Sequence, residues 1–407
     1  MVKPRVISLF SGAGGLDYGF EAAGFETAVA VEMDQACCET LRANRPWPVI
    51  ERDIFEVSSG ELLETADLQR GEPDLLIGGP PCQPFSKSGY WARGDARRME
   101  DPRANTLSAY LRVLEETQPR VFLLENVEGL AFRGKDEGLQ LLIEAIKSIN
   151  KRTKSNYQPV LQLLNAADYG VPQLRKRLIL IGARDGSVFK FPEPTHGEDQ
   201  LALFGVLSPR RTAWDALGDL VHAPKEDMQL TGRWADLLPS IPEGSNYLWH
   251  TPRSGGEPLF GWRRHFWSFL LKLAKNQPSW TIQAQPGPAS GPFHWDNRRL
   301  SMHELCRLQT FPADVHIIGN RFAIQKQVGN AVPSLLAEVL GRAIRTQLLG
   351  LRQVRGPLRL LPPQRTPVPP AIVPTKVPLK FLSLRGDHEP HPGTGHGRSA
   401  SQRSLFG

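Results

Sequence analysis

Over the first 185 positions, short apolar runs alternate with longer amphipathic stretches. Residues 6–10, 27–31, 74–77, 121–124, 160–164 and 178–181 read as strands. Several are unbroken Val/Ile/Leu runs, the pattern of parallel strands buried on both faces. Residues 106–117 and 138–150 carry helical spacing between them. This rhythm predicts an α/β fold with a doubly wound, Rossmann-like sheet. Residues 195–297 break it: they hold seven of the nine tryptophans, many Pro and Gly, and no sustained period. They read as a smaller, irregular domain. Helical patterns return at 301–308 and 333–349.

Composition adds limits. At roughly 150 residues per domain, 407 residues make two or three domains. No run approaches the ~18 apolar residues that would span a bilayer. The apolar run at 6–10 is too short for a signal peptide, since Ser11-Gly12 break it. Four cysteines, Cys37 and Cys38 adjacent, make no disulfide framework, so a reduced, cytoplasmic protein is expected. No metal-ligand cluster is read.

The net charge of +7 changes the picture only locally. Residues 351–407 hold nine Lys/Arg against two acids, leaving 40 basic and 40 acidic groups on the rest of the chain. From Gly356 onward there are also ten prolines. This segment reads as a Pro-rich, basic, mostly disordered tail, whose removal should leave the body working. The expected domains are 1–190 completed by 325–350, then 191–324, then the tail.

The loops after the strands carry the chemistry. The first strand runs into Phe10-Ser11-Gly12-Ala13-Gly14-Gly15, where glycines let backbone approach a ligand, and Glu32 ends the second strand. A carboxylate there can accept hydrogen bonds from a ribose, which suits either NAD or S-adenosylmethionine. The strand at 74–77 runs into Gly78-Gly79-Pro80-Pro81-Cys82-Gln83-Pro84-Phe85-Ser86. A thiol on a proline-stiffened loop at a strand's carboxyl end, where open α/β sheets bind ligands, reads as a nucleophile. The next strand ends in Glu125-Asn126-Val127, a carboxylate whose partial burial would raise its pKa. Farther on, Gln173, Arg175 and Arg177 share one face if that segment is extended.

Together with Arg307-Leu308-Gln309-Thr310-Phe311-Pro312 and Gly329-Asn330-Ala331-Val332-Pro333, these motifs stand in an order that resembles the DNA (cytosine-5)-methyltransferase family, of the bacterial restriction–modification type. The resemblance spans residues 5 to about 349. It implies S-adenosylmethionine as cofactor, with Phe10, Gly12 and Gly14 at its methionine end and Glu32 on the ribose. Asp53 and Ile54 would bracket the adenine, Met33 and Pro80 would line the site, and Asn330 and Val332 would close it.

It further implies Cys82 as nucleophile on cytosine C6, Glu125 engaging N3, and Arg175 and Arg177 anchoring the base. The target must leave the stacked duplex for this chemistry. The irregular region takes the place of a target-recognition domain, with Gln83, Ser86, Arg253, Arg263 and Arg264 as candidate DNA contacts. Double-stranded DNA is the implied partner, a cognate restriction endonuclease acting on the same site the implied companion, and a nucleoid-associated monomer off the membrane the implied state.

Three rivals carry less. A tRNA cytosine-5 methyltransferase would show a Cys-Phe-Thr tripeptide that is absent here. A nicotinamide dehydrogenase rests on the glycine loop alone, and a non-catalytic relative conflicts with the retained Cys82, Glu125 and Arg175. A solitary regulatory DNA methyltransferase stays open beside the restriction–modification role.

Overall fold

The computed structural model describes residues 3–81, 105–127, 137–198, 207–220, 228–261 and 267–386. Seven strands form one sheet: β1 Arg5–Leu9, β2 Glu26–Glu32, β3 Val49–Glu51, β4 Leu75–Gly78, β5 Val121–Asn126, β6 Val160–Asn165 and β7 Lys176–Ala183. Their order is β3-β2-β1-β4-β5-β7-β6. Strands β1 to β5 pair in parallel, while β7 runs antiparallel to both β5 and β6. Only ten residues separate β6 from β7, fewer than the dozen or so a parallel crossover needs, so the chain turns back on itself. The order reverses between β1 and β4, the switch point where open α/β sheets form their ligand crevice at the carboxyl ends of the strands.

Alternate residues of each strand enter opposite cores. Val6, Leu75, Ile77, Val121, Leu123, Ile179 and Ile181 face one layer, and Ile7, Leu9, Leu76, Phe122, Leu124 and Leu180 the other. The second layer holds α3 Ser59–Thr65, α4 Asn105–Thr117 and α5 Glu137–Thr153, which follow α1 Gly15–Ala22 and α2 Gln35–Asn44 in the chain. The first layer holds α1 and the late helix α9 Ser334–Gln347. Those two helices meet backbone to backbone. A Cβ on Gly19 would lie 2.2 Å from the Ser334 carbonyl oxygen, and one on Gly15 2.4 Å from that of Val332. Their contact draws residues 330–332 against the glycine turn at the crevice.

The irregular region has its own core. Leu237, Leu238, Ile241, Tyr247, Leu259, Leu270 and Phe293 are buried together. It has little regular structure: α6 Ala213–Leu217, a two-residue strand pair (β8 His196–Gly197 with β9 Ser208–Pro209) and 3-10 turns. Trp234 packs edge-on against Phe269, so that tryptophan builds core. Helices α7 Met302–Leu308 and α8 Arg321–Asn330 return the chain to the sheet.

The tail corrects the composition-based expectation. Residues 351–386 form no long helix or strand, as proline requires, yet they lie against the body rather than free of it. Leu358, Leu360 and Leu361 pack on the sheet core, and Phe381 is buried in the core of the irregular region. Proline removes the backbone donor and helical geometry but leaves apolar side chains and the remaining N–H groups able to dock. Residues 387–407 lie outside the described residues.

Candidate active site

At the crevice, β1 leads into a turn in which Phe10, Gly12 and Gly14 adopt left-handed φ values of 53°, 54° and 83°. Gly14 donates its N–H to the Ser11 carbonyl at 2.9 Å and then caps α1. A Cβ on Gly12 would meet no protein atom within 4 Å, so its open side is bare backbone available to a ligand. Glu32 holds the turn: its Oε2 accepts the Gly12 N–H at 2.8 Å, and its Oε1 accepts those of Met33 and Asp34 at 2.9 Å each. A carboxylate has about four acceptor sites, so Glu32 retains capacity for a ribose hydroxyl.

Since β3 pairs with β2, with Glu51 opposite Glu32, Asp53 and buried Ile54 follow on the same rim. Asp53 accepts the Phe55 N–H at 3.1 Å, while Phe55 and Met33 stand exposed. From the other side come exposed Asn330, buried Val332 and Lys326, whose ammonium pairs with Asp34 at 2.5 Å and lowers that carboxyl's pKa. A bare glycine turn, a carboxylate with spare acceptor capacity and exposed apolar side chains fit a nucleoside-bearing cofactor.

One strand further, Glu125 is buried near the end of β5. Burial raises its pKa, opposed by the charges of Arg177 and Arg175. Arg177 Nε lies 2.6 Å from Glu125 Oε1. A Cβ on Gly79 would come within 2.8 Å of Glu125 Oε2, so the carboxyl rests on the backbone leading toward Cys82. The Asn126 amide donates to the carbonyl of buried Pro80 at 3.3 Å, and Thr106 Oγ1 to that of Pro81 at 3.2 Å. The root of the proline loop is thereby fixed beside Glu125. Cys82 itself, with Gln83 and Ser86, lies outside the described residues.

Arg175 sits differently from Arg177. Fully buried, it donates to the carbonyls of Ile282 at 3.2 Å and Gly329 at 2.7 Å, and its Nε has no hydrogen-bond partner. Burial, then the nearby Arg177, push its pKa down, though a guanidinium keeps its proton. Arg175 therefore joins three segments, and Arg177 is the arginine that touches the carboxylate. Gln173 works beside it: its amide donates to Gln309 Oε1 at 3.1 Å and its oxygen accepts the Ile282 N–H at 3.1 Å. Gln309 donates in turn to the carbonyls of Val328 at 2.6 Å and Ala331 at 3.3 Å, capping the end of α8. The roles of Gln309, Asn126, Thr106 and Lys326 were not foreseen; only the Gln309 and Asn126 motifs signalled them.

A cavity of about 420 Å³ opens between residues 282–293 and α8, lined among others by Gln283, Gln285, Phe293, half-buried Arg299 and Phe322. None of the expected cofactor residues lines it. Among the candidate DNA contacts, Arg253 is exposed, while Arg263 and Arg264 lie outside the described residues.

Comparison with known proteins decides the family. The model of the C-5 cytosine-specific DNA methylases matches residues 4–346. The chain belongs to that family. It is 41% identical over 377 residues to the Type II methyltransferase M.SacI of Streptomyces achromogenes, covering 86% of this chain and 95% of that protein. With the Type II methyltransferase M.AquIA of Picosynechococcus it shares 46% identity over 230 residues, 54% of this chain and 91% of the relative. The fold also matches a crystal structure of a putative DNA modification methyltransferase encoded within an E. coli prophage. There the TM-score is 0.58 at 23% identity, covering 85% of this chain and all of the other. This methylase is thus a DNA (cytosine-5)-methyltransferase, for which the family implies S-adenosylmethionine as methyl donor and DNA as substrate. Among the described residues no helix is long and apolar enough to cross a membrane.

Proposed function

We propose that this methylase acts on one cytosine, flipped out of a short specific duplex sequence, through a covalent bond between Cys82 and C6. The observation that carries this reading is the buried Glu125, its pKa raised, paired with Arg177 and resting on Gly79 at the root of the Cys82 loop. Cytosine C5 is too weakly nucleophilic to be methylated unaided. The Cys82 thiolate adds to C6 while Glu125 gives a proton to N3, and the ring becomes an enamine with an electron-rich C5. When bound, S-adenosylmethionine supplies an electrophilic methyl group for that carbon. Loss of the C5 proton, to a water in this proposal, then expels the Cys82 thiolate, and N3 returns its proton to Glu125.

Arg177 orients Glu125 in this scheme, and Arg175 joins the 282 segment and the end of α8 to the same site. Phe10, Gly12, Gly14, Glu32, Met33, Asp53, Ile54, Pro80, Asn330 and Val332 would hold the cofactor. Residues 1–190 with 325–350 serve as the catalytic unit and 191–324 as the recognition unit, with base contacts from Arg253, Arg263, Arg264, Gln83 and Ser86. The similarity to Type II methyltransferases supports a role in shielding cytoplasmic host DNA from an endonuclease of the same specificity, the enzyme working as a monomer.

Labelled S-adenosylmethionine, unmethylated duplex DNA and tRNA test the reading together. Transfer to DNA, abolished in Cys82→Ala and reduced about 10²–10⁴-fold in Glu125→Gln, is expected. Transfer to tRNA alone would overturn it.

A further inference from the structure

The segment beyond α9 satisfies buried charge on three separate parts of the molecule. Glu338, a fully buried carboxylate of α9 paired with Arg342, accepts the backbone N–H groups of Arg359 at 2.8 Å and Leu360 at 2.9 Å. Asp215, 4% exposed in α6, takes the Thr212 N–H on Oδ2 at 2.8 Å and the Arg365 N–H on Oδ1 at 2.6 Å. Glu243, in the irregular region, pairs with Lys275 and accepts the Ile372 N–H at 2.9 Å.

Side chains follow the same course. The Arg365 guanidinium donates to the Asp215 carbonyl at 3.0 Å and pairs with Asp219 at 2.7 Å. Phe381 is 3% exposed, and its ring stacks on Trp234 at 5.8 Å and 14°. Arg385 closes on Glu257 at 2.7 Å.

A solubilising appendage has no reason to leave its N–H groups on buried acids. A buried carboxylate that loses such donors is costly, so these contacts hold the segment in one register. The acids belong in turn to α9 of the sheet unit, to α6, whose Ala213, Ala216 and Leu217 share a core with Tyr18 and Leu41, and to the 237–293 core of the irregular region. We propose that residues 357–385 are a built-in strap that fixes the recognition region over the catalytic crevice, with Arg365 and Phe381 as positioning residues. The proposal rests on the methylase reading, because it assigns the strap a share in DNA binding.

Full-length Phe381→Ala and Arg365→Ala would be compared with wild type for KM toward DNA, kcat, cofactor affinity and hydrogen exchange over residues 235–260. The strap predicts a KM for DNA raised about tenfold, with kcat and cofactor affinity within about twofold. It also predicts faster exchange over 235–260 and unchanged exchange over 105–125. An unchanged KM and exchange pattern would overturn the proposal. So would a parallel fall of kcat, cofactor affinity and folded fraction, the mark of a merely structural role. A wild type that methylates no DNA would sink the functional reading instead, and exchange measured without DNA would still decide on the strap.

Discussion

Glu125 is held between two influences: burial favours its neutral acid, and Arg177 at 2.6 Å favours the carboxylate. Because burial dominates, the proton persists to higher pH than in an ordinary glutamate, and in the proposed mechanism its loss sets an alkaline limb for catalysis. Arg177→Gln removes an opposing charge, so that limb should move to higher pH in a pH–rate profile; a limb that stays put or moves down contradicts the assignment. Asp17 is buried and pushed from 3.8 to about 6, mainly by desolvation, which outweighs the hydrogen bonds from Ser8, its own backbone N–H and Thr27, the last at 3.3 Å on its Oδ1. A folded pKa raised in this way adds stability fully below about 4 and loses it as pH rises through 6. At neutral pH the buried charge then costs about 3 kcal/mol. Asp17→Asn should gain Tm over wild type at pH 7.5 but not at pH 4; an equal gain at both would refute this. At this scale the placement of the two acids was legible: Glu125 showed itself as an acid near the end of an apolar strand, and Glu32 as the acid ending the second. The place of Arg175 was not, because its carbonyl partners lie 107 and 154 residues downstream, where no local pattern reaches.

The pairing of α1 with α9 sets residues 330–332 against the glycine turn proposed to hold the cofactor, and it depends on the absence of side chains. Gly19→Ala sets a Cβ 2.2 Å from the Ser334 carbonyl oxygen, and Gly15→Ala one 2.4 Å from that of Val332. Neither obstacle is a flexible side chain, so the helices must part, at a cost of about 1–3 kcal/mol. Both variants should lose Tm and bind S-adenosylmethionine more weakly in calorimetry, since residues 330–332 and the Gly12–Gly14 turn move together. Stability lost with cofactor affinity intact would separate the packing from the site. The α9 stretch was visible in the spacing of its apolar residues, but not that it would meet α1, over 300 residues away. Nor did the hydrophobic runs show that β7 runs antiparallel, since a strand buried on both faces looks the same in either direction. The length of the β6–β7 connection decides that. Strand β3, three residues long, has too few positions to show any period.

On the scale of the whole molecule, a chain that looked like body plus appendage is held together by its end. Proline density correctly excluded long helix and sheet from 351–386, where a 3-10 turn at Leu379–Leu384 is the one regular element. It could not show that Leu358, Leu360, Leu361, Arg365 and Phe381 dock, because their partners come from the sheet core with α9, from α6 and from the irregular region. Truncation after Gly350 strands Glu338, Asp215 and Glu243 without those donors. At about 1–3 kcal/mol for each lost buried partner, the urea midpoint should fall clearly. An unchanged midpoint would return the segment to the status of an appendage.

The central claim, that the crevice joins a cofactor turn to a Cys82–Glu125 pair for cytosine methylation in DNA, is tested most directly by mapping the product. Purified protein, S-adenosylmethionine and unmethylated duplex DNA of mixed sequence would be incubated beside Cys82→Ala and read by bisulfite sequencing. The account predicts protection of one cytosine within one short recurring sequence, absent in the variant. Full conversion everywhere, by folded protein that binds the cofactor, would contradict it.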